Sequence, residues 1–239
     1  MTPEALPWME GAAGAAAAGL LAYAVRAPSS TLLAPSVYRG VRDRQAIALT
    51  FDDGPSESTP ELLDILETHR APATFFQCGA NVRRLPAIAK EVAARGHELG
   101  NHTDTHPRLD FKSREFMVCE LSAAQESIEL ATGIRPLYFR APYGVRWFGL
   151  RAAQQRLGLT GVMWTTIALD WKWPADRILP RLLRGGKNGA IFCLHDGRRL
   201  QPRPDVRPTL ETVRQLLPKL MEQGFHFEKV TDILCPTKS

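Results

Sequence analysis

From Arg44 onward the apolar positions of the chain fall into two alternating rhythms. Short apolar-rich runs at 46–51, 74–77, 97–100, 137–140, 161–166, 190–194 and 225–230 are bounded by turn-forming residues and predict strands. Between them, apolar residues recur at helical spacing over 59–69, 86–95, 113–132, 147–157, 175–183 and 208–223. In the first of these, Leu62, Leu63, Ile65 and Leu66 form one face, and Thr59-Pro60 supplies a start with proline in the first turn. Gly96, Gly133, Gly158 and Gly224 follow helix ends, where a left-handed residue closes the last turn. Seven strands alternating with helices predict a parallel sheet covered by helices. The pattern is satisfied equally by a barrel and by an open, doubly wound sheet.

Residues 11–25, GAAGAAAAGLLAYAV, break this rhythm. They carry no charge, are rich in Ala and Gly, and are followed by Arg26 and Pro28. The segment is short and weakly apolar for a spanning helix. It is preceded by Glu4 and Glu10 and by no Lys or Arg, so it lacks the basic start of an export signal. Three readings stand: a weak membrane anchor, an atypical export signal, or a surface helix packed on the folded unit. Arg26, Arg39, Arg42 and Arg44 after it favour a cytoplasmic C-terminal side. The chain is expected to divide into an N-terminal segment and linker, 1–43, and one folded domain, 44–239.

With 239 residues, 44% of them apolar and 23% charged, the chain can bury one sizeable core, and wholesale disorder is excluded. No run reaches the roughly 18 apolar residues of a membrane span, which excludes a polytopic membrane protein. Lys plus Arg exceed Asp plus Glu by 30 to 25. That mild surplus suits anionic surfaces but is no nucleic-acid footprint. The basic run Arg198, Arg199, Arg203, Arg207 is broken by prolines and reads as a solvated loop. The four cysteines show no CxxC spacing, so a zinc ribbon is excluded; Cys78 and Cys193 sit in apolar runs and read as core residues.

The chemistry collects where the strands end. Asp52 and Asp53 follow the first strand, His102 and His106 the third, Arg140 ends the fourth, Asp170 follows the fifth, and the sixth runs into His195. Active sites of barrels and open parallel sheets are built at that carboxyl end. Two His four residues apart can share one metal ion, and Thr103 between them rules out a zincin, which needs Glu there. Two imidazoles and a carboxylate form a catalytic rather than a structural metal set; it suits Zn²⁺, and Co²⁺, Ni²⁺ or Fe²⁺ would also fit. A second adjacent carboxylate is then free to act as a base.

TFDDGP (50–55), HTDTH (102–106), RAPYG (140–144), LDW (169–171) and CLHDG (193–197) resemble, in order, the five motifs of the polysaccharide deacetylases, the NodB-type homology domain of carbohydrate esterase family four. The resemblance spans roughly 45–234. It implies a distorted (β/α) barrel with about seven parallel strands. It also implies that Asp53, His102 and His106 bind the metal, that Asp52 is the general base held ionised by Arg140, and that His195 is the general acid oriented by Asp170. The backbone amide of Tyr143 would support the oxyanion, and Trp171 and Cys193 would shape the acetyl pocket. The chain departs from the family at Ile167, where a second Asp is frequent, and at Cys193, where Leu is usual; the smaller Cys makes a roomier pocket.

The implied activity is metal-dependent hydrolysis of N-acetyl groups on N-acetylglucosamine units of peptidoglycan or a chitin-like polymer, releasing acetate. Deacylation of a lipid-linked aminosugar and non-catalytic glycan binding are the alternatives. The expected partner is an N-acetylated glycan, not nucleic acid. A monomer is expected at the cell envelope or secreted, with membrane association through 11–25 as one form of attachment. His69, His97 and His226 lie in no motif and read as structural or surface residues.

Overall fold

The computed structural model describes the backbone of residues 6–236, and side chains from residue 12 on, residue 13 excepted. Residues 1–5 of the N-terminal segment, and 237–239 at the end of the expected catalytic domain, lie outside the described residues.

The central strand is β2 (Ala46–Gly54), buried along its whole length. A parallel strand covered on both faces has no solvent side, which is why its first six residues, AIALTF, do not alternate with charges. It lies between β3 (Ala73–Gln77) and β8 (Ala190–His195). Beyond β3 follow β4 (Glu98–Asn101), β5 (Tyr138–Phe139), β6 (Thr160–Val162) and β1 (Ser36–Val37). β7 (Thr166–Ile167) flanks β8, β9 (His226–Phe227) joins the start of β2, and every pairing is parallel. All seven expected strands are present. β1 is additional, and β7 arises from the division of the expected strand 161–166; two residues each are too few to leave a pattern of their own in the sequence.

The expected strand 161–166 is in fact divided between two strands on opposite sides of the sheet, β6 next to the edge strand β1 and β7 at the other edge. β6 pairs with β5 and β1, and β7 pairs with β8. Between them Met163 N donates to Val37 O at 2.7 Å and Thr165 N to Ile191 O at 2.9 Å. Three residues thus carry the chain from β6, beside the edge strand β1, to the opposite edge at β7 and curl the sheet into a distorted barrel.

The helices are α2 (Thr59–Thr68), α3 (Gly79–Arg84), α4 (Pro86–Ala94), α5 (Arg114–Thr132), α6 (Leu150–Leu157), α7 (Ala175–Gly185), α8 (Arg207–Glu222) and α9 (Val230–Leu234). In α5, the Ser113 side chain accepts from Phe116 N, and Gly133 closes the end at φ 76°. Its inner face buries Met117, Leu121, Ala124 and Ile128. The main core packs Ile47, Leu49, Phe51, Phe75 and Phe192 of the sheet against α2, α7 and α8. Burying each large side chain there contributes on the order of 1.5–3 kcal/mol.

α1 (Leu6–Arg26) stands apart. Residues 14–23 are exposed, with Leu20 at 61%, and only Ala24 in the last turn is buried. The described helix is therefore not packed on the sheet along its length. Among the described residues no helix is long and apolar enough to cross a membrane. Only the end of α1 is fastened. The buried Arg146 donates its backbone N to Val25 O at 3.0 Å, Nη1 to Ser30 O at 2.6 Å, and Nη2 to Ala27 O. A cation at a helix C-terminus also meets the negative end of its dipole.

The barrel seam has its own plug. Arg140 is fully buried. Its Nε donates to Val162 O at 3.1 Å and Nη2 to Met163 O at 3.2 Å, satisfying carbonyls freed where β6 ends. Nη1 donates to Thr50 Oγ1 at 2.6 Å and to Asp52 Oδ1 at 2.7 Å across the barrel. The guanidinium lies 4.2 Å from the Phe76 ring centroid. Replacing Arg140 with Met leaves Asp52 charged, buried and unpaired. A loss of about 3–5 kcal/mol is expected in urea unfolding, and adding Asp52→Asn should recover part of it; if the single variant matches the parent, the plug is not structural.

His97 is structural, as expected. Its ring meets Phe75 edge-on, and its Nδ1 accepts from Ala73 N at 3.2 Å, so that nitrogen carries no proton. Burial, with Arg95 and Lys229 nearby, lowers its pKa from 6.5 to about 4. Between those values the unfolded chain binds a proton that the folded chain refuses, so stability falls as pH drops from 6.5 towards 4. His97→Asn keeps an acceptor for Ala73 and cannot titrate. It should flatten that part of the stability–pH curve, a slope worth up to roughly 3 kcal/mol; an unchanged curve would assign the acid sensitivity elsewhere.

Candidate active site

The carboxyl ends of β2, β4, β5 and β8 open into a cavity of about 890 Å³ that reaches Asp52, Asp53, His102, His106 and His195. A register shift between Asp52 and Gly54, with Asp53 at φ 72°, is what lets neighbouring aspartates face one site. The turn tolerates no side chain in two places. A Cβ on Gly54 would lie 2.3 Å from Asp196 Oδ2, and one on Gly197 would lie 2.3 Å from Asp53 O. Left-handed backbone recurs at Thr103, His106, Tyr143, Leu169 and Arg199 around the same cavity. Such residues cost on the order of 1–3 kcal/mol each and persist where their surroundings over-determine them.

Asp53 and the two histidines form one group. Asp53 Oδ1 is 3.3 Å from His102 Nε2 and 3.0 Å from His106 Nε2. His102 Nδ1 lies 2.8 Å from Arg140 O, a carbonyl that can only accept, so Nδ1 bears the proton and the Nε2 lone pair faces the carboxylate. Asp53 Oδ2 accepts from Arg199 N at 2.8 Å, which leaves Oδ1 buried without a hydrogen-bond donor. Burial pushes His106 down, keeping its imidazole neutral. Three ligand atoms within 4.8 Å of one another, all with lone pairs and one without a donor, fit a divalent cation.

Asp52 is partnered differently. Arg140 holds Oδ1, as above, and Cys193 Sγ lies 3.4 Å from Oδ2. Burial, reinforced by Asp52, raises the Cys193 pKa well above that of a free thiol, so the thiol donates to the carboxylate. Across the cavity His195 Nδ1 is 2.8 Å from Asp170 Oδ1, and His195 N donates to Asp170 Oδ2 at 2.8 Å. Thr209 Oγ1 donates to the same Oδ2 at 2.7 Å. Burial would lower His195, but the charge and hydrogen bond of Asp170 lift it to about 9, leaving a cationic imidazole at neutral pH.

Tyr143 and Trp171 are half-exposed at the walls, the former 4.8 Å from the His106 ring and the latter edge-on to His195 at 4.9 Å. Ile167 lines the cavity as well. All ten residues singled out in the sequence thus converge on one site.

Sequence reasoning missed several supports. Asn81 Nδ2 donates to Asp53 O at 2.8 Å and to Arg199 O at 2.7 Å, tying two loops together. It follows the second strand, one of two strand ends whose polar residues drew no attention, and α3 that carries it was not expected. Asp196 Oδ2 accepts from Thr59 Oγ1 at 2.6 Å; burial, with Asp53 and Asp52 near, raises its pKa to about 7. Arg198 and Arg199 were read as solvated loop, yet both line the cavity.

The family model "Polysaccharide deacetylase" matches residues 39–162. A chitooligosaccharide deacetylase from Bradyrhizobium sp. (strain ANU 289) is 35% identical over 205 residues, covering 82% of this chain and 94% of that protein. A peptidoglycan-N-acetylglucosamine deacetylase from Bacillus cereus is 33% identical over 196 residues, covering 80% and 89%. Among solved structures, a CE4 family pseudoenzyme from Bacillus anthracis superposes with a TM-score of 0.77 at 29% identity, covering 85% of this chain and 70% of the other. A peptidoglycan N-acetylglucosamine deacetylase bound to a hydroxamate-type benzamide reaches 0.78 at 29% identity, covering 82% and 91%. With its strand-end residues, its curled parallel sheet and these relatives in agreement, the chain belongs to the polysaccharide deacetylase family.

Proposed function

We propose that the chain hydrolyses N-acetyl groups from N-acetylglucosamine units of an envelope glycan, peptidoglycan ahead of chitin oligosaccharides, and releases acetate. The observation that carries this reading is the opposite partnering of two adjacent carboxylates. Asp53 Oδ1 has no donor and faces two imidazoles, whereas Asp52 is clamped by Arg140. One is built to take a cation and the other to remain an ionised base. The relatives named for chitooligosaccharide and for peptidoglycan support the substrate class.

Asp53, His102 and His106 would hold the divalent ion, with Zn²⁺ favoured by the nitrogen and oxygen donors and Co²⁺, Ni²⁺ or Fe²⁺ also accommodated. Bound there, such an ion supplies Lewis-acid polarisation of the acetamide and makes water acidic enough to attack. The chain does the rest. Asp52 accepts the proton of the attacking water, and Arg140 and Cys193 keep its carboxylate aimed. The Tyr143 N–H, which makes no hydrogen bond among the described residues, is available to the developing oxyanion; such a donor is worth about 3 kcal/mol. His195, cationic through Asp170, gives its proton to the departing amine, which is a poor leaving group without it. Trp171 and Cys193 border the space for the acetyl methyl.

The pseudoenzyme neighbour shows that this fold also occurs without activity. In this chain the Arg140–Asp52 and His195–Asp170 pairs are intact, and glycan binding alone gives neither a task. The envelope is the corresponding location. Among the described residues no helix is long and apolar enough to cross a membrane.

Three variants separate the roles, with elemental analysis for metal and acetate release from N-acetylglucosamine oligomers for turnover. His102→Ala should lose metal and activity together. Asp52→Asn and His195→Ala should each retain metal while kcat falls on the order of 10²–10⁴-fold. Metal loss in Asp52→Asn would reverse the division between the aspartates. Chelation should abolish acetate release in the parent and add-back of Zn²⁺ or Co²⁺ restore it; activity that survives chelation rules the metal out.

A further inference from the structure

The hydrolysis proposed above leaves a group of arginines at the cavity without a task. Arg198 and Arg199 line it, and Arg26 reaches the same cavity from the end of α1. Acids that feel these charges are already taken: Asp110 by Arg108 at 2.7 Å and Asp205 by Arg207 at 2.7 Å. Inside, Asp52 pairs with Arg140 and Asp170 with His195. Among the described residues, no carboxylate forms a salt bridge with Arg26, Arg198 or Arg199.

Their positions are fixed by backbone. Arg199 is held at φ 52° with its N–H on Asp53 Oδ2 at 2.8 Å and its O accepting from Asn81 at 2.7 Å. Its guanidinium lies 5.3 Å from the Tyr143 ring centroid. Arg198 donates to Gly197 O at 2.8 Å and to Asp170 O at 2.9 Å. Arg26 is placed by Arg146, which grips carbonyls on both sides of it, Val25 and Ala27. A strained, non-glycine residue pinned between the Asp53 carboxylate and Asn81 is an expensive way to support a solvated loop. Three guanidiniums without a carboxylate partner line one mouth and form a concentrated positive field, and their forked N–H groups match a planar or tetrahedral oxyanion.

We infer that the mouth of the cavity is an oxyanion subsite, in which Arg26 and Arg199, backed by Arg198, recognise a carboxylate or phosphate that the glycan carries beside the N-acetyl group to be removed. The inference rests on the deacetylase reading and narrows its substrate to an anionic glycan.

Acetate release by the full-length, metal-loaded protein is to be compared on three substrates of equal length. One is a neutral N-acetylglucosamine oligomer, one has a carboxylate-bearing neighbouring sugar, and one ends in a glycosyl phosphate. An anionic oligomer should be preferred by about tenfold in kcat/KM at low salt, through KM, and the preference should shrink as ionic strength rises. The Arg26→Gln/Arg199→Gln variant should bring the ratio close to one, and Arg199→Lys should keep part of it. Preference for the carboxylate places the charge on the strand; preference for the phosphate places it on a carrier. Equal kcat/KM for neutral and charged oligomers, or a ratio that the double variant leaves unmoved, overturns the subsite while acetate release upholds the deacetylase. If no oligomer yields acetate, the deacetylase reading fails instead. Calorimetric affinities of the same oligomers for Asp52→Asn protein then decide the subsite alone, equal affinities overturning it and a charge preference that the double substitution removes upholding it.

Discussion

The guanidinium of Arg140 has no contact with water, and a buried cation of that kind survives only where its N–H groups are matched. Here the matching partners belong to different problems. Two are carbonyls left over where the sheet breaks at Val162 and Met163 to cross its own seam, and one is the carboxylate proposed as catalytic base. Curling the sheet creates the need for a buried donor, and filling that need sets a guanidinium against Asp52. The carbonyl of the same residue fixes the His102 tautomer. Barrel closure, the Asp52 carboxylate and the His102 imidazole are therefore tied to one residue at the end of β5. Its substitution by Lys, a point charge without a fork, would not reproduce them.

Asp52 and Asp53 show how little sequence distance is needed to separate two roles. They are chemically identical neighbours, distinguished by a register shift and one left-handed residue. Asp52 stays in register opposite His195 and meets the donors that line the barrel interior. Asp53 turns outward into a ring of lone pairs, with one oxygen claimed by Arg199 N and the other left for a cation. The close approach of Gly54 to Asp196 and of Gly197 to Asp53 holds this bulge in place. The strain gathered around the cavity is the counterpart of that division, since a relaxed strand would send the two side chains to opposite faces.

Much of this was legible in the sequence, for a physical reason. Buried parallel strands have to be continuous apolar runs, so each ends abruptly, and the polar residue after the break stands at the site. That rule alone places Asp52, Asp53, His102, His106, Arg140, Asp170 and His195 together. What escaped obeys no such rule. β1 and β7 have two residues each and exist because the seam needs edges to bind. The split of 161–166 into two strands is a tertiary event: a six-residue apolar stretch reads the same whether it stays in one sheet position or crosses between two. Asn81 and Asp196 act through backbone carbonyls and close packing, which have no signature in residue spacing.

The basic run at 198–207 marks the limit of reading charge from composition. A formal charge of +5 says little, because 30 cationic and 25 anionic side chains can be arranged in many ways. Prolines in the run argued for an open loop, and for Arg203 that holds, whereas Arg207, also exposed, opens α8. Arg198 and Arg199 differ because Gly197, packed against Asp53 O, forces the chain to turn back over the cavity before the prolines begin. The two positions are thus set by the same contact that shapes the Asp53 turn. Arg198 and Arg199 at the mouth and Asp53 at the floor are thus tied through one loop, since Arg199 N donates to Asp53 Oδ2, and the surplus of positive charge acquires a direction that the count alone does not contain.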